Sequence, residues 1–198
     1  MSKIEIINRA LLKLGEPPIS SLNDAAFSTS YEMIFNDVKN LLLSAYPWRF
    51  AVKTQKLARL EKMFAGRFMY PLPADCLLLL KVYVETNADI ADFRAVSAED
   101  YEIADGCVLV FYKGAVQIDY VTKLDDDADF PPLFREALVC KIAAELSMRL
   151  KHSLQTKQIF DNEFFNFIRQ AELNNEIMKS AEFLPDGSWI KIRHAWTE

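Results

Sequence analysis

The feature most suggestive of chemistry is a group of four closely spaced aspartates, Asp125, Asp126, Asp127 and Asp129. Carboxylates at alternate positions begin a calcium-binding loop, and a similar trio can hold the metal of a hydrolase. The calcium loop requires Gly at its sixth position, which here is Phe130, and its twelfth position, Glu136, lies in a predicted helix. The favoured interpretation is structural, because a helix dipole attracts carboxylates before an N-terminus and Pro131-Pro132 can begin that helix. A metal-dependent hydrolase using Asp125, Asp127 and Asp129 stays as a rival hypothesis.

The second candidate is a markedly basic stretch made of Lys53, Lys56, Arg59, Lys62 and Arg67. Such residues can neutralise phosphates, so the stretch is a candidate for facing DNA, with a solvated surface as the alternative. The whole chain carries 23 Lys and Arg against 28 Asp and Glu, a net charge of -5. This acidic balance argues against a protein that grips nucleic acid mainly through a basic surface.

Other residue types that carry chemistry are sparse. The five glycines are scattered singly, so the sequence builds no phosphate-binding loop, and neither of the two histidines lies in a zinc-binding helix motif. The three cysteines match neither a zinc motif nor an even set of disulfides and are interpreted as small core residues. We therefore expect a protein that is not an enzyme, with no catalytic residue, no metal site and no cofactor assigned.

The C-terminal segment 186–198 has the pattern of a docking tail. Its apolar and basic residues interleave beyond the last predicted helix, and the candidates for contact with another chain are Trp189, Ile190, Ile192, Arg193 and Trp196. The alternative is a tail that folds back on its own subunit.

The overall composition indicates an ordinary globular chain. Of 198 residues, 51% are hydrophobic and 26% are charged, a length and balance that favour one domain with a sizeable core. The N-terminal segment carries Glu5 and Arg9 among its apolar residues, so no signal peptide or membrane span is predicted there. A reducing cytoplasm is the expected compartment of synthesis.

The elements follow from periodicity and from punctuating residues. Ser2 and Glu5 form a capping box, and helices are predicted at about 3–14, 24–46, 132–151 and 154–179. Residues 48–122 have the alternation of β-strands from Trp48 onward, with two-residue turns at Asp105-Gly106 and Lys113-Gly114. The expected fold is α+β, a helical bundle built from both ends of the chain with an inserted antiparallel β lobe, all within one domain at 1–185.

Five segments, taken in order, resemble a family of bacteriophage proteins: INRALLKLGEPPISSL, LLLSAYPWRFA, YPLPADCLLLLKVY, VLVFYKGAVQIDYV and FPPLFREALVCKIAAELSMRL. The chain is similar to head-to-tail adaptors of the tail tubular protein A family of short-tailed phages, from about residue 4 to 178. The most distinctive parts are the Gly15–Ser20 junction and the Tyr46–Phe50 corner, and neither is a catalytic signature.

The resemblance implies a structural virion protein. Such adaptors form a ring, usually of twelve copies, that joins the portal protein to the tail nozzle protein and extends the channel through which viral DNA passes without sequence recognition. It also implies that the C-terminal tail reaches the portal and that the protein resides in the virion connector after assembly in the host cytoplasm, with no membrane partner. The rival from another class is a phage DNA-binding or packaging accessory protein that uses the basic stretch.

Overall fold

The computed structural model describes residues 2–20, 28–87, 92–124 and 130–182. The helices in these ranges are α1 (Lys3–Lys13), α2 (Ser28–Ala45), α3 (Pro132–Leu150) and α4 (Leu154–Glu182). The strands are β1 (Val52–Leu57), β2 (Met63–Phe64), β3 (Arg67–Pro71), β4 (Cys76–Asn87), β5 (Asp92–Ala95), β6 (Tyr101–Ala104), β7 (Cys107–Val110) and β8 (Val116–Thr122). All strand pairs are antiparallel, so the predicted α+β class is confirmed.

The helix ends follow the local signals in the sequence. The capping box at α1 is confirmed, since the Ser2 hydroxyl accepts a hydrogen bond from the Glu5 backbone N–H and the Ser2 N–H donates to Glu5 Oε2. Pro132 opens α3, where its missing N–H removes no helical hydrogen bond. The expected start of α2 at 24–27 lies outside the described residues, and α4 ends at Glu182, three residues after the expected 179.

The corner between α2 and β1 differs from the sequence interpretation. Alternation beginning at Trp48 predicts a strand, but Arg49–Ala51 is one turn of 3-10 helix and the first strand begins at Val52. The Trp48 indole is buried, its Nε1–H donates to the Leu42 carbonyl at 2.8 Å, and its ring meets Phe134 edge-on at 5.1 Å. The large apolar side chains at this corner are therefore packed among helices rather than along a sheet.

The strands form two four-stranded sheets with a shared core. The first sheet has the order β1-β8-β4-β5 and the second has the order β2-β3-β7-β6. Val82, Ile118 and Tyr120 from the first sheet join Tyr70 and Val108 from the second in one buried cluster. The opposite face of the first sheet contributes to a larger cluster that includes side chains from all four described helices.

One of the two predicted hairpin turns is wrong. Asp105 and Gly106 have φ of 50° and 68° and connect β6 to β7, with Ala104 paired to Cys107, as a two-residue turn of mirror-image type requires. Lys113-Gly114 makes no hairpin, because β7 pairs with β3 and β6 whereas β8 pairs with β1 and β4. The chain there crosses from the second sheet to the first.

Candidate interaction surfaces

The basic stretch does not lie on one face of the sheet. Alternation along β1 separates Lys53 from Lys56, which lie an odd number of residues apart on the same strand. Lys53 Nζ lies 3.5 Å from Asp75 Oδ2, whereas Lys56 Nζ lies 4.9 Å from the centre of the Phe93 ring. The two cations are therefore on opposite faces and each already contacts a side chain of its own chain.

The remaining basic residues of the stretch lie in the β1–β2 connection and on β3. Arg59 covers the Phe68 ring at 5.4 Å, and Arg67 covers the Phe111 ring at 4.9 Å while donating to Glu102 at 2.7 Å. Lys62 lies exposed in the connection. Cation–π stacking and ion pairing hold two of these three side chains against the surface, which reduces the freedom with which they can meet phosphates.

Asp75 is the centre of a polar network on the first sheet that sequence analysis did not find. Its carboxylate accepts hydrogen bonds from Thr122 Oγ1 at 2.6 Å and from Tyr120 Oη at 3.2 Å. The Thr122 hydroxyl is the main reason that the pKa of Asp75 is lowered, and burial chiefly raises the pKa of Tyr120 to about 12. A charged Asp75 therefore ties the start of β4 to the end of β8, a structural role.

A second carboxylate, Asp119, lies on the other face of the same sheet. Thr54 Oγ1 donates to it at 2.6 Å and Tyr83 Oη donates at 2.7 Å, so it joins β1, β8 and β4. Burial first, and the bond to Asp119 second, raise the pKa of Tyr83 to about 12. Both phenols are thus protonated donors near neutral pH, and neither is activated as a base.

An apolar groove runs between the end of α2 and the middle of α4. Its volume is about 510 Å³, and it is lined by Leu42, Ala45, Tyr46, Trp48, Phe164, Phe165, Ile168, Arg169 and Glu172. The Phe165 ring is 62% exposed. Large aromatic side chains with this exposure mark a surface suited to binding another apolar segment. We call this surface the α2–α4 groove.

A polar clamp closes the end of the α2–α4 groove nearest the C-terminus of α4. The Tyr46 hydroxyl donates to Glu176 at 2.5 Å, and the Arg49 backbone N–H donates to the Asn175 side-chain oxygen at 3.0 Å. The Asn175 amide in turn donates to the Pro47 carbonyl at 3.5 Å. Burial and the Glu176 contact raise the pKa of Tyr46. The clamp fixes α4 to the corner that follows α2.

A smaller apolar pocket lies on the other side of α4. It has a volume of about 260 Å³, and its lining includes Trp48, Phe50, Pro132, Phe134 and Ala171. Trp48 therefore separates two apolar concavities, which flank the part of α4 that leads toward the C-terminal tail.

Other predicted candidates are placed as follows. In the described part of the chain, no group of three or more His, Cys, Asp or Glu side chains is arranged to hold a metal ion. The acidic residues Asp125, Asp127 and Asp129 lie outside the described residues, as do the tail candidates Trp189, Ile190, Ile192, Arg193 and Trp196. At the boundary of the acidic run, buried Lys39 donates to the Leu124 carbonyl at 2.6 Å.

The cysteines support their interpretation as core residues. Cys107 and Cys140 are buried and free, and Cys76 is free and half-buried. Burial is the main cause that raises the pKa of Cys140 to about 11, so its thiol stays protonated and unreactive near neutral pH.

Comparison with known proteins gives no family assignment. No protein-family model matches the chain, and no curated protein matches it. A search of the described residues for a helix long and apolar enough to cross a membrane found none.

Proposed function

We propose that this chain is a head-to-tail adaptor of a short-tailed bacteriophage, a structural protein of the virion. In this proposal the four helices form the body, and the strands between α2 and α3 form a lobe inserted into it. Copies assemble as a ring, of about twelve by resemblance, that joins the portal protein to the tail nozzle protein and surrounds the passing DNA. The protein assembles in the host cytoplasm and ends in the virion connector.

The observation that carries the proposal is apolar exposure on several separate elements. Leu12 on α1, Met33 on α2, and both Leu173 and Ile177 on α4 expose between 57% and 65% of their surface. A closed ring needs two different surfaces on each subunit, because one surface of a copy meets another surface of its neighbour. Exposed apolar side chains on three different helices fit that requirement better than a single patch, which would favour a twofold dimer.

Charge is compatible with a channel for DNA. A strongly basic wall would retain the duplex, because each phosphate contact releases counterions and strengthens binding. The net charge of -5 and the engaged side chains of Lys53, Lys56, Arg59 and Arg67 favour loose passage over tight binding.

The DNA-binding alternative makes a different quantitative prediction. If all five basic residues neutralised phosphates, the logarithm of the duplex affinity would fall with the logarithm of salt concentration with a slope of about -4.5. The adaptor proposal predicts weak binding with a slope shallower than about -2, measured by fluorescence anisotropy between 50 and 200 mM salt, a range suited to such slopes. A slope near -4.5 that is abolished by changing the five residues to Gln would replace the adaptor proposal with the DNA-binding one.

The tail assignment has its own test. We expect deletion of residues 186–198 to weaken binding to the portal ring encoded in the same genome, since Trp189 and Trp196 are proposed contacts. The double change Trp189→Ala and Trp196→Ala should reproduce most of the loss, whereas Ser188→Ala should leave binding unchanged. Unaltered portal binding by the deleted chain would remove the tail from the interface.

A further inference from the structure

We propose that, in the free subunit, the C-terminal tail occupies the α2–α4 groove of its own chain, with Trp189–Trp196 as the bound segment. This is an autoinhibitory contact that covers the groove before assembly. It rests on the proposed function in one respect: the tail then has two binding sites, the groove in the free subunit and the portal after assembly.

The groove has the chemistry of an apolar segment's binding site. Its lining includes the apolar side chains of Leu42, Ala45 and Ile168 together with the exposed Phe165 ring. The side chains of Glu172 and Glu176 lie at the end that Tyr46 closes. Arg169 also lines the groove, so an occupant that matches this surface needs bulky apolar side chains and must place its positive charge at the end where Glu172 and Glu176 lie.

The tail has this composition. Residues 189–196 contain two Trp and two Ile, and their only fully ionised side chains are Lys191 and Arg193. Aromatic side chains fill concave apolar surfaces with large contact area, and a basic residue near Trp189 can pair with Glu172 or Glu176 at the end of the groove. The segment from Trp189 to Trp196 is therefore complementary to the groove in both hydrophobicity and charge.

The tail is also long enough to reach the α2–α4 groove from the end of α4. Glu172 precedes the last described residue of α4, Glu182, by ten positions, a distance of about 15 Å along a helix. Trp189 follows Glu182 by seven positions, which span up to about 24 Å when the chain is extended. The chain can thus turn back and place Trp189 beside Glu172, with the following residues running toward Phe165.

Attachment to the same chain favours this occupant over a second copy. A segment joined by a short linker has an effective concentration in the millimolar range. A neighbouring subunit at micromolar concentration competes poorly with such a segment for the same groove. We therefore expect the contact to form within one subunit and to be independent of protein concentration.

The test uses the full-length chain in the absence of portal. Phe165 is replaced by the photo-crosslinking residue p-benzoylphenylalanine, which keeps an aromatic side chain in the groove. The control places the same residue at Ile159, which is 51% exposed on the same helix but does not line the groove. After irradiation at low micromolar concentration, mass spectrometry identifies the crosslinked peptide and the mass of the product.

We expect a product with the mass of one chain, joined to residues 186–198, with at least fivefold higher yield from position 165 than from position 159. Glu172→Lys should lower the yield from position 165 at least threefold, and Glu99→Lys, an exposed charge reversal in the β region, should leave it unchanged. Products with the mass of two chains, products without the tail, or equal yields from both positions would each overturn the proposal. Portal binding by the deleted chain is a separate measurement, so failure here leaves the adaptor proposal standing.

Discussion

The clamp between α4 and the corner after α2 should contribute measurably to the stability of the fold. Asn175 is 8% exposed, and its side-chain oxygen accepts a hydrogen bond from the Arg49 backbone N–H at 3.0 Å. Changing Asn175 to Ala removes this acceptor and the weaker bond to the Pro47 carbonyl. Loss of a partner for a buried or half-buried donor costs about 1–3 kcal/mol of folding free energy.

The higher helix propensity of Ala offsets part of this loss of folding free energy. Ala has a higher helix propensity than Asn by about 0.5 kcal/mol, so the net destabilisation expected from Asn175→Ala is about 0.5–2.5 kcal/mol. The neighbouring Asn174 is exposed on the same helix and provides the matched control. Asn174→Ala gains the same propensity without losing the clamp, and we expect it to be neutral or to stabilise by about 0.5 kcal/mol.

Urea unfolding followed by circular dichroism measures both variants. With a denaturant slope of about 3 kcal/mol per molar, Asn175→Ala should lower the midpoint by about 0.2–0.8 M. Hydrogen exchange should also accelerate in residues 169–182 before it does so in α3, because the clamp is local to that part of α4. Equal midpoints for the two variants, or uniform acceleration throughout the chain, would refute the inference that Asn175 anchors the end of α4.

Three further changes test other parts of the account. Trp48→Phe should destabilise the fold by about 1–3 kcal/mol, measured by urea unfolding, because it removes the indole donor to Leu42 and leaves part of a buried site unfilled. Asp75→Asn should cost about 1 kcal/mol of folding free energy at pH 7, a modest value because the Asp75 side chain is 40% exposed. Folding lowers the pKa of Asp75, so the stability difference from the unmodified protein should be complete above about pH 4 and should vanish as the pH falls through the lowered pKa. Unfolding midpoints measured from pH 7 to 2 check this. Gly106→Ala should lower stability by about 1 kcal/mol in thermal unfolding, since φ there is +68°.

Local signals in the sequence were sufficient for the starts of α1 and α3. The capping box of Ser2 and Glu5 and the Pro131-Pro132 pair mark helix starts through interactions within one turn, so a short sequence window contains the necessary information. The Asp105-Gly106 turn is similar, because its two residues adopt the positive φ that the turn itself demands.

Features that depend on distant partners were not predictable in the same way. The residues around Lys113-Gly114 look like a hairpin, but their strands belong to different sheets, a choice set by pairing with β3 and β4. Trp48 and Phe50 alternate like strand residues, yet their burial against Phe134 places them in a helical corner. The groove and the Asn175 clamp likewise depend on α2 and α4 meeting, which no spacing in the sequence specifies.

The basic stretch illustrates the same limit at a candidate site. The sequence spacing of Lys53 and Lys56 predicts that they belong to one basic cluster. Alternation along β1 instead places their side chains on opposite faces of the first sheet. Recognising β1 would have been enough to separate these two charges. The stacking of Arg59 on Phe68 required knowledge of how β3 is placed.

Electron microscopy of the purified chain mixed with the portal ring encoded in the same genome can show directly whether the chain is an adaptor. We expect a ring of copies seated on the portal, coaxial with its channel, and loss of most of this density when residues 186–198 are deleted. Portal rings that carry no additional density at micromolar excess of the intact chain would contradict the adaptor function.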